Sequence, residues 1–454
     1  MIFDIEKYSK IPDGWSKVKL SDLADFNAKS WSKKDKPETI NYIDISSVST
    51  GKVAEPTEMK FDSAPSRARR KVDKGDIIIS TVRPNLKQFA LLDFNNDNLT
   101  ASTGFCTITP KKPEYTWLIY SVVTTDIFTE HLVRVAQGAA YPAIKPSDIS
   151  EAYIGLPPQE ELHKLNALIG ALWQKQTINE AMNQTLEKLA QRIFKSWFID
   201  FDPVKANKEG LPFDGLSPEI QALFPSEFED SELGMIPKGW EVKFFGDEIK
   251  FKNGYAFKSK ELIEDPESGT HRVFKMGNIL KGGGFKYNGS KDYFDASSNT
   301  KVMKHLAKKG DLLMCMTDMK ANVALLGHTA LMPVSDRYLV NQRVGHIQPK
   351  ELLSSYFLYL LTNSKDFIHD LRSRSNSGVQ VNLSTKAIKE TRFICPDKNA
   401  HNAFNSIITP IFERYFDNEE NNRTLESLRD RLLPKLISGQ ISVGEATQEL
   451  AEAV

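Results

Sequence analysis

Along Gln159–Phe198, apolar residues recur at steps of three and four: Leu165, Ile169, Leu172, Ile178, Met182, Leu186, Leu189, Ile193 and Trp197. The spacing breaks once, at Lys175-Gln176. The pattern returns from Lys398 to Ile437, with Phe404, Ile408, Ile411, Tyr415, Leu425, Leu428, Leu432 and Leu436 on the stripe. The second stretch also echoes the first residue by residue. Asn166 meets Asn405, 239 positions on, and Asn179, Asn183 and Thr185-Leu186-Glu187 meet Asn418, Asn422 and Thr424-Leu425-Glu426 without a gap. An internal repeat outranks local signals in fixing the architecture. Each stripe is a coiled-coil seam. Each predicts a helix of about 40 residues, roughly 60 Å long. Neither helix can bury its stripe alone, so the economical arrangement pairs them with each other. Pro410 lies inside the second copy and predicts a kink there. The alternative is two ordinary core helices in separate domains.

Around these helices the polar and apolar runs change period. Residues 1–157 carry short alternating or buried runs such as Tyr42–Ile45 and Phe105–Ile108, with helical spacing near Tyr115–Val133. Ile11-Pro12-Asp13-Gly14-Trp15 opens this unit, and Ile236-Pro237-Lys238-Gly239-Trp240 opens residues 236–397. Lys74-Gly75-Asp76 before Ile77-Ile78-Ile79 matches Lys309-Gly310-Asp311 before Leu312-Leu313-Met314, each a tight turn feeding a buried strand. The expected organisation is α+β with a pseudo-two-fold internal repeat. Two mixed, mostly β domains (1–157 and 236–397) are separated by two long helices (158–198 and 398–437) that form an antiparallel coiled coil. A connector (199–235) and a tail (438–454) complete the chain. The helices kept their length between copies while the domains drifted, so each domain is read as shaped to its own target.

Charge then refines the picture. The 59 basic and 59 acidic residues balance overall, but not locally. The connector has nine acidic residues against Lys205 and Lys208, and should avoid a polyanion. The acidic tail from Ser438 is expected to be a partner contact or frayed. Between Asp62 and Ala90 the sign reverses, with Arg67, Arg69, Arg70, Lys71, Lys74, Arg83 and Lys87 against three aspartates and with Ser80, Thr81, Asn85 and Gln88 interleaved. Arginine can bond a guanine edge with two hydrogen bonds, and lysine and hydroxyls suit phosphates. The second domain offers Arg272, Lys275, Lys320, Asn322, Arg343 and Arg374. A third candidate is the glycine-bearing loop before each helix, with Gly138 and Tyr141 in one copy and Gly378, Gln380 and Asn382 in the other. For any single residue, a merely solvated basic face is the competing reading.

Catalytic motifs are missing from the sequence. There is no GxxxxGK[ST], GxSxG or HExxH, and Gly282-Gly283-Gly284 lacks a strand–turn–helix context. His305, His328 and His346 have no ligand spacing, so no metal site is expected. Asp76 and Asp311 read as turn residues. Cys106, Cys315 and Cys395 lie far apart without a CxxC, which fits a reducing cytoplasm. The charged start lacks a signal-peptide core, and no apolar run is long enough for a membrane span.

The chain resembles the specificity (S) subunit of type I restriction–modification systems. The resemblance is carried by Ile11–Trp15, by Pro65–Arg70 through Lys74-Gly75-Asp76 to Arg83-Pro84, and by Leu156-Pro157-Pro158-Gln159-Glu160. It continues in Phe194–Pro203 and in Leu432-Leu433-Pro434-Lys435-Leu436-Ile437-Ser438-Gly439. The second domain departs, with Thr317-Asp318-Met319-Lys320 where the first has Ser80-Thr81-Val82-Arg83. The resemblance implies that each domain is a target recognition domain reading half of a split double-stranded DNA site. It implies that the coiled coil separates the halves, that two adenine methyltransferase subunits dock on the helices, and that restriction subunits join them. It implies no catalytic centre here, with S-adenosylmethionine, ATP and Mg²⁺ held by partner subunits. Phe194, Trp173 and Phe412 are candidates for gripping the methyltransferase. The competing functions are a self-contained DNA methyltransferase or nuclease, and a protein scaffold without nucleic acid.

Overall fold

Both Lys-Gly-Asp turns are built alike. Gly75 (φ +94°) and Gly310 (φ +87°) take the left-handed conformation that lacks a penalty only for glycine. The following aspartate closes each turn: Asp73 N donates to Asp76 Oδ2 at 2.9 Å, and Lys308 N donates to Asp311 Oδ2 at 2.8 Å. The strands that follow, Ile77–Ser80 and Leu312–Cys315, are wholly buried. Each is central to a four-stranded antiparallel sheet, against Phe105–Pro110 and Phe89–Leu91 in one copy and against Val344–Pro349 and Thr329–Leu331 in the other.

The computed structural model describes residues 2–32, 34–139, 141–264, 270–319, 323–376 and 380–453. The chain divides into two units, Met1–Glu180 with Glu419–Val454, and Ala181–Asn418. The boundary crosses both long helices, Gln159–Phe198 and Lys398–Ile437. The second remains one continuous helix through Pro410.

In the first unit, a further sheet carries Thr57–Lys60, Thr39–Ile43, Leu99–Ser102 and Ala68–Lys71 in that order, with Thr39–Ile43 and Leu99–Ser102 parallel. Two helices, Thr116–Val123 and Asp126–Val135, occupy the predicted helical stretch. Ser16–Lys19 pairs with Tyr153–Leu156, which leads into the first long helix. The second unit repeats these elements. Thr270–Phe274 runs parallel to Tyr338–Val340, Glu241–Phe244 pairs with Arg392–Cys395, and Ser355–Thr362 and Lys365–Ser373 are its helices.

The long helices pair antiparallel within each unit. In the first, Trp173 lies under Arg429, Gln176 Nε2 donates to Asn422 O, and Asn179 Nδ2 donates to Asn422 Oδ1 at 2.8 Å. In the second, Asn183 Oδ1 accepts from Asn418 Nδ2 at 2.8 Å, and Phe194 and Trp197 meet Phe404. Leu165, Ile169, Leu172, Phe404, Ile408, Leu425, Leu428, Leu432 and Leu436 are buried, and Met182, Leu186, Ile193 and Ile411 are half-buried. Leu189 is a correction: it is 45% exposed, as is Ile178 at 49%. These two lie eleven residues apart, about three turns, and share an outward face. The buried stripe instead runs through Gln176, Asn179, Asn183, Ala190, Phe194 and Trp197. The apparent break at Lys175-Gln176 is where polar side chains take over the seam.

Phe194 and Phe412 also correct the expectation of exposed grips, since they are 3% and 4% exposed. One helix of the second unit, Ser355–Thr362, covers both: Phe357 meets Phe194, and Tyr356 stacks on Phe412 at 4.8 Å. Trp173, half-buried, is stacked on Trp117 in the same way. Trp117 and Tyr356, like Trp173 and Phe412, are repeat counterparts, so one aromatic clamp recurs in both units.

The Ile-Pro-x-Gly-Trp motifs tie the units' openings to the helices. Trp15 Nε1 donates to Glu161 at 2.9 Å, and Trp240 Nε1 donates to Asp397 at 3.1 Å. The connector is an ordered part of the second unit. Its helix Asp202–Glu209 follows the first long helix, and Phe201, Val204 and Phe224 enter that unit's core. The tail is not frayed: Val443–Ala453 is a helix on the first unit, with Ala446 fully buried and Arg431 paired to Glu449.

Candidate nucleic-acid interface

Two separately predicted clusters meet in the first unit. Beyond Ile77–Ser80 the chain runs beside the glycine loop: Val82 bridges Ala143, Ile144 N donates to Thr81 O, and Arg83 N donates to Pro142 O at 2.7 Å. Gln137 and Ala143 close the loop with paired backbone bonds. Gly138 (φ +107°) is required, because a Cβ there would press on the Tyr141 carbonyl at 3.0 Å.

A three-residue 3₁₀ turn, Pro84–Leu86, projects from this junction between two left-handed residues, Arg83 and Lys87, each at φ +50°. Such conformations cost non-glycine residues roughly 1–2 kcal/mol and persist only where the surroundings enforce them. The Arg83 guanidinium lies over the Tyr141 ring at 4.5 Å, and Tyr141 is 69% exposed. Asn85 is exposed, and Lys87 pairs with Asp126 at 2.5 Å.

Ser80 and Thr81 shape this turn from within. Ser80 is buried and donates to Val82 O, while Thr81 Oγ1 donates to Gly104 O. Ser80 therefore does not reach an outside ligand, which corrects its place among the candidate contacts. The Thr103–Gly104 turn links the tip to the basic strand, since Thr103 N donates to Arg67 O. Arg67 is exposed and pairs with Asp44 at 3.4 Å. Arg69 lies over Phe61, and the half-buried Arg70 reaches Ser30.

The second unit makes the same junction with other chemistry. Thr317–Met319 pairs with Gln380–Asn382, Thr317 opposite Asn382, and Asn376 bridges Asn382. Thr317 and Asn382 thus stand where Val82 and Ala143 stand. Arg83's counterpart is Asp318, two residues before the lysine that sequence alignment set there. Asp318 is 8% exposed and its Oδ2 accepts from Leu325 N at 2.7 Å and from Leu326 N at 3.3 Å. Lys320, Asn322 and Gly378 lie outside the described residues.

Arg343, exposed, sits beside the junction, its carbonyl accepting from Met316 N. Asn382 Oδ1 accepts from Thr317 Oγ1, and Gln380 is half-buried next to it. Arg272 donates to Ser290 O, Lys275 pairs with Asp292, and Arg374 pairs with Asp370. These three are engaged within the unit. Exposed apolar residues at the tips, Leu86 (51%) and Met319 (55%), were not singled out from the sequence. No periodic pattern marks a lone apolar residue in a loop.

Burial raises all three thiols, Cys106 and Cys395 to about 12 and Cys315 to about 11. As thiols they are inert at neutral pH. Among the described residues, no three His, Cys, Asp or Glu side chains gather to hold a metal ion, and no helix is long and apolar enough to cross a membrane.

The model of the type I restriction modification DNA specificity domain matches residues 12–189 and again 237–428. The chain is 26% identical to the type I restriction enzyme HindI specificity subunit of Haemophilus influenzae, over 94% of this chain and 99% of that protein. It is also 26% identical to the MjaIX specificity subunit of Methanocaldococcus jannaschii, over 82% and 79%. The crystal structure of a type I restriction–modification S subunit from M. genitalium shares the fold, with a TM-score of 0.53 at 16% identity over 94% of this chain and 96% of that one. One copy of the family domain thus accounts for each repeat, and the chain belongs to the type I restriction modification DNA specificity family, as a specificity subunit.

Proposed function

We propose that each unit reads one half of a bipartite double-stranded DNA site, and that the junction built from the strand end and the glycine loop is the reading tip. The observation that carries this is the recurrence of one backbone junction with different side chains. Arg83 on Tyr141 occupies it in the first unit, and Asp318, Met319 and Asn382 in the second. A constant frame with exchanged side chains is what two different half-sites require. Arg67, Arg69, Arg70, Asn85 and Lys87 flank the first tip, and Arg343, Gln380 and Asn382 flank the second, as contacts to bases or phosphates.

The paired helices hold the two readers at a set distance and carry the docking surface for two adenine methyltransferase subunits, which restriction subunits join. S-adenosylmethionine, ATP and Mg²⁺ belong to those partners. The complex works in the cytoplasm. This chain supplies recognition and no chemistry of its own.

The test is to co-express the chain with a methyltransferase subunit of its system and sequence the methylated adenines. A split site with a fixed gap is expected. Arg83→Ala should weaken or relax one half-site alone, by about 1–3 kcal/mol for a lost two-bond base contact. Equal loss in both halves would count against the assignment. Methyl transfer by the chain alone would favour a self-contained enzyme, and the absence of any salt-dependent DNA binding even with the methyltransferase present would favour a scaffold.

A further inference from the structure

Leu86 is an exposed apolar side chain in a turn of the first unit bracketed by two left-handed residues. Single exposed leucines are ordinary on protein surfaces, but this one is held in place from three sides. Left-handed Arg83 and Lys87 bracket it, and Leu86 N and Lys87 N close the turn onto Arg83 O and Pro84 O. Arg83 N is fixed to Pro142 O. Lys87 is fixed by Asp126 and by Thr50 Oγ1, which donates to the Lys87 carbonyl. Backbone strain is thus spent on presenting an apolar group outward beside a guanidinium stacked on tyrosine. In the second unit an exposed apolar side chain also stands close to the equivalent junction, Met319 at the end of the strand Thr317–Met319, 55% exposed.

On DNA, one apolar feature in the major groove carries sequence information, the 5-methyl group of thymine. We propose that Leu86 contacts a thymine methyl within one or two base pairs of the position facing Arg83. The spacing fits, because three residues of 3₁₀ turn advance about 6 Å and base pairs are stacked about 3.4 Å apart. This rests on the reading of the junction as the DNA-facing tip, and names the chemistry it selects.

The test uses the chain assembled with its methyltransferase subunits and duplexes carrying its own site. In the half-site weakened by Arg83→Ala, each thymine is replaced in turn by deoxyuridine, which removes the methyl and keeps every hydrogen-bonding group. One replacement should weaken binding about four-fold, the effect of one buried methylene-sized group. Leu86→Ala should bind the normal site weakly and be indifferent to that replacement, and Leu86→Met should keep the sensitivity. The idea is overturned if no thymine in that half-site responds, if the half-site holds none, or if Leu86→Ala responds as the parent does. Failure of the assembled complex to bind any split site would instead sink the reading of the junction itself.

Discussion

Asp76 and Asp311 show how far identical local sequence can diverge in chemistry. Both follow Lys-Gly, and both accept the backbone N–H three residues earlier. Burial pushes both carboxyls up. At Asp311 burial is outweighed by His346, whose Nε2 lies 2.5 Å away, by the Lys308 N–H and by Gln348, and the carboxyl is held below its ordinary value. At Asp76, Thr107 and Thr109 stand at the corresponding strand positions, and burial wins, so the carboxyl is raised. The signs of the pH dependence are opposite. The stabilisation from Asp311 is complete above the ordinary carboxylate value, about 4, and is lost as pH falls through its depressed folded value. The contribution of Asp76 is complete below that ordinary value and is lost as pH rises through its raised one. Calorimetry at pH 7 should therefore find Asp76→Asn more stable than the parent and Asp311→Asn less stable. Shifts of the same sign would show that turn geometry alone governs both. The turn role of these residues was legible from Lys-Gly-Asp followed by an apolar run. Their charge states were not, because His346 and Gln348 come from another strand.

Among the elements, the long helices carry a polar layer in an otherwise apolar seam. Asn179 with Asn422, and Asn183 with Asn418, are buried hydrogen-bonded pairs that the repeat maps onto one another. A buried asparagine in a coiled coil fixes register, because shifting the helices would leave its amide unpaired. Asn422→Leu alone should cost about 1–3 kcal/mol in urea unfolding, the amide of Asn179 being left without its partner. The Asn179→Leu, Asn422→Leu double variant should recover that loss or exceed the parent, as replacement of buried polar pairs by apolar ones often does. A double variant as weak as the single would mean the layer acts through something other than its mutual bonds. The sequence placed the helices correctly because their period is local. It followed Leu189 rather than Ala190 and Phe194, because a stripe read from apolar residues alone drifts where the seam turns polar.

At the scale of the whole molecule, the helices pass from one unit into the other, and the proposed function makes their length a ruler. The buried stripe alternates steps of three and four, so a seven-residue insertion in each helix preserves it. The insertion adds about 10 Å, or about three base pairs. Sequencing of methylated adenines should show the gap between half-sites longer by that amount, with both half-sites unchanged. An unchanged gap would argue that the helices do not set the distance.

The sequence by itself determined the doubled plan, the two helices, the closing turns and the family, because periodicity, glycine turns and repeated motifs are properties of neighbours along the chain. Tertiary structure alone decided that the glycine loop lies against Arg83, that Asp318 rather than Lys320 takes the matching place, and that Phe194 and Phe412 are covered. It also decided that the tail folds onto the first unit. Each of these depends on groups brought together from distant parts of the chain, where burial and a partner's hydrogen bond set what a side chain can do.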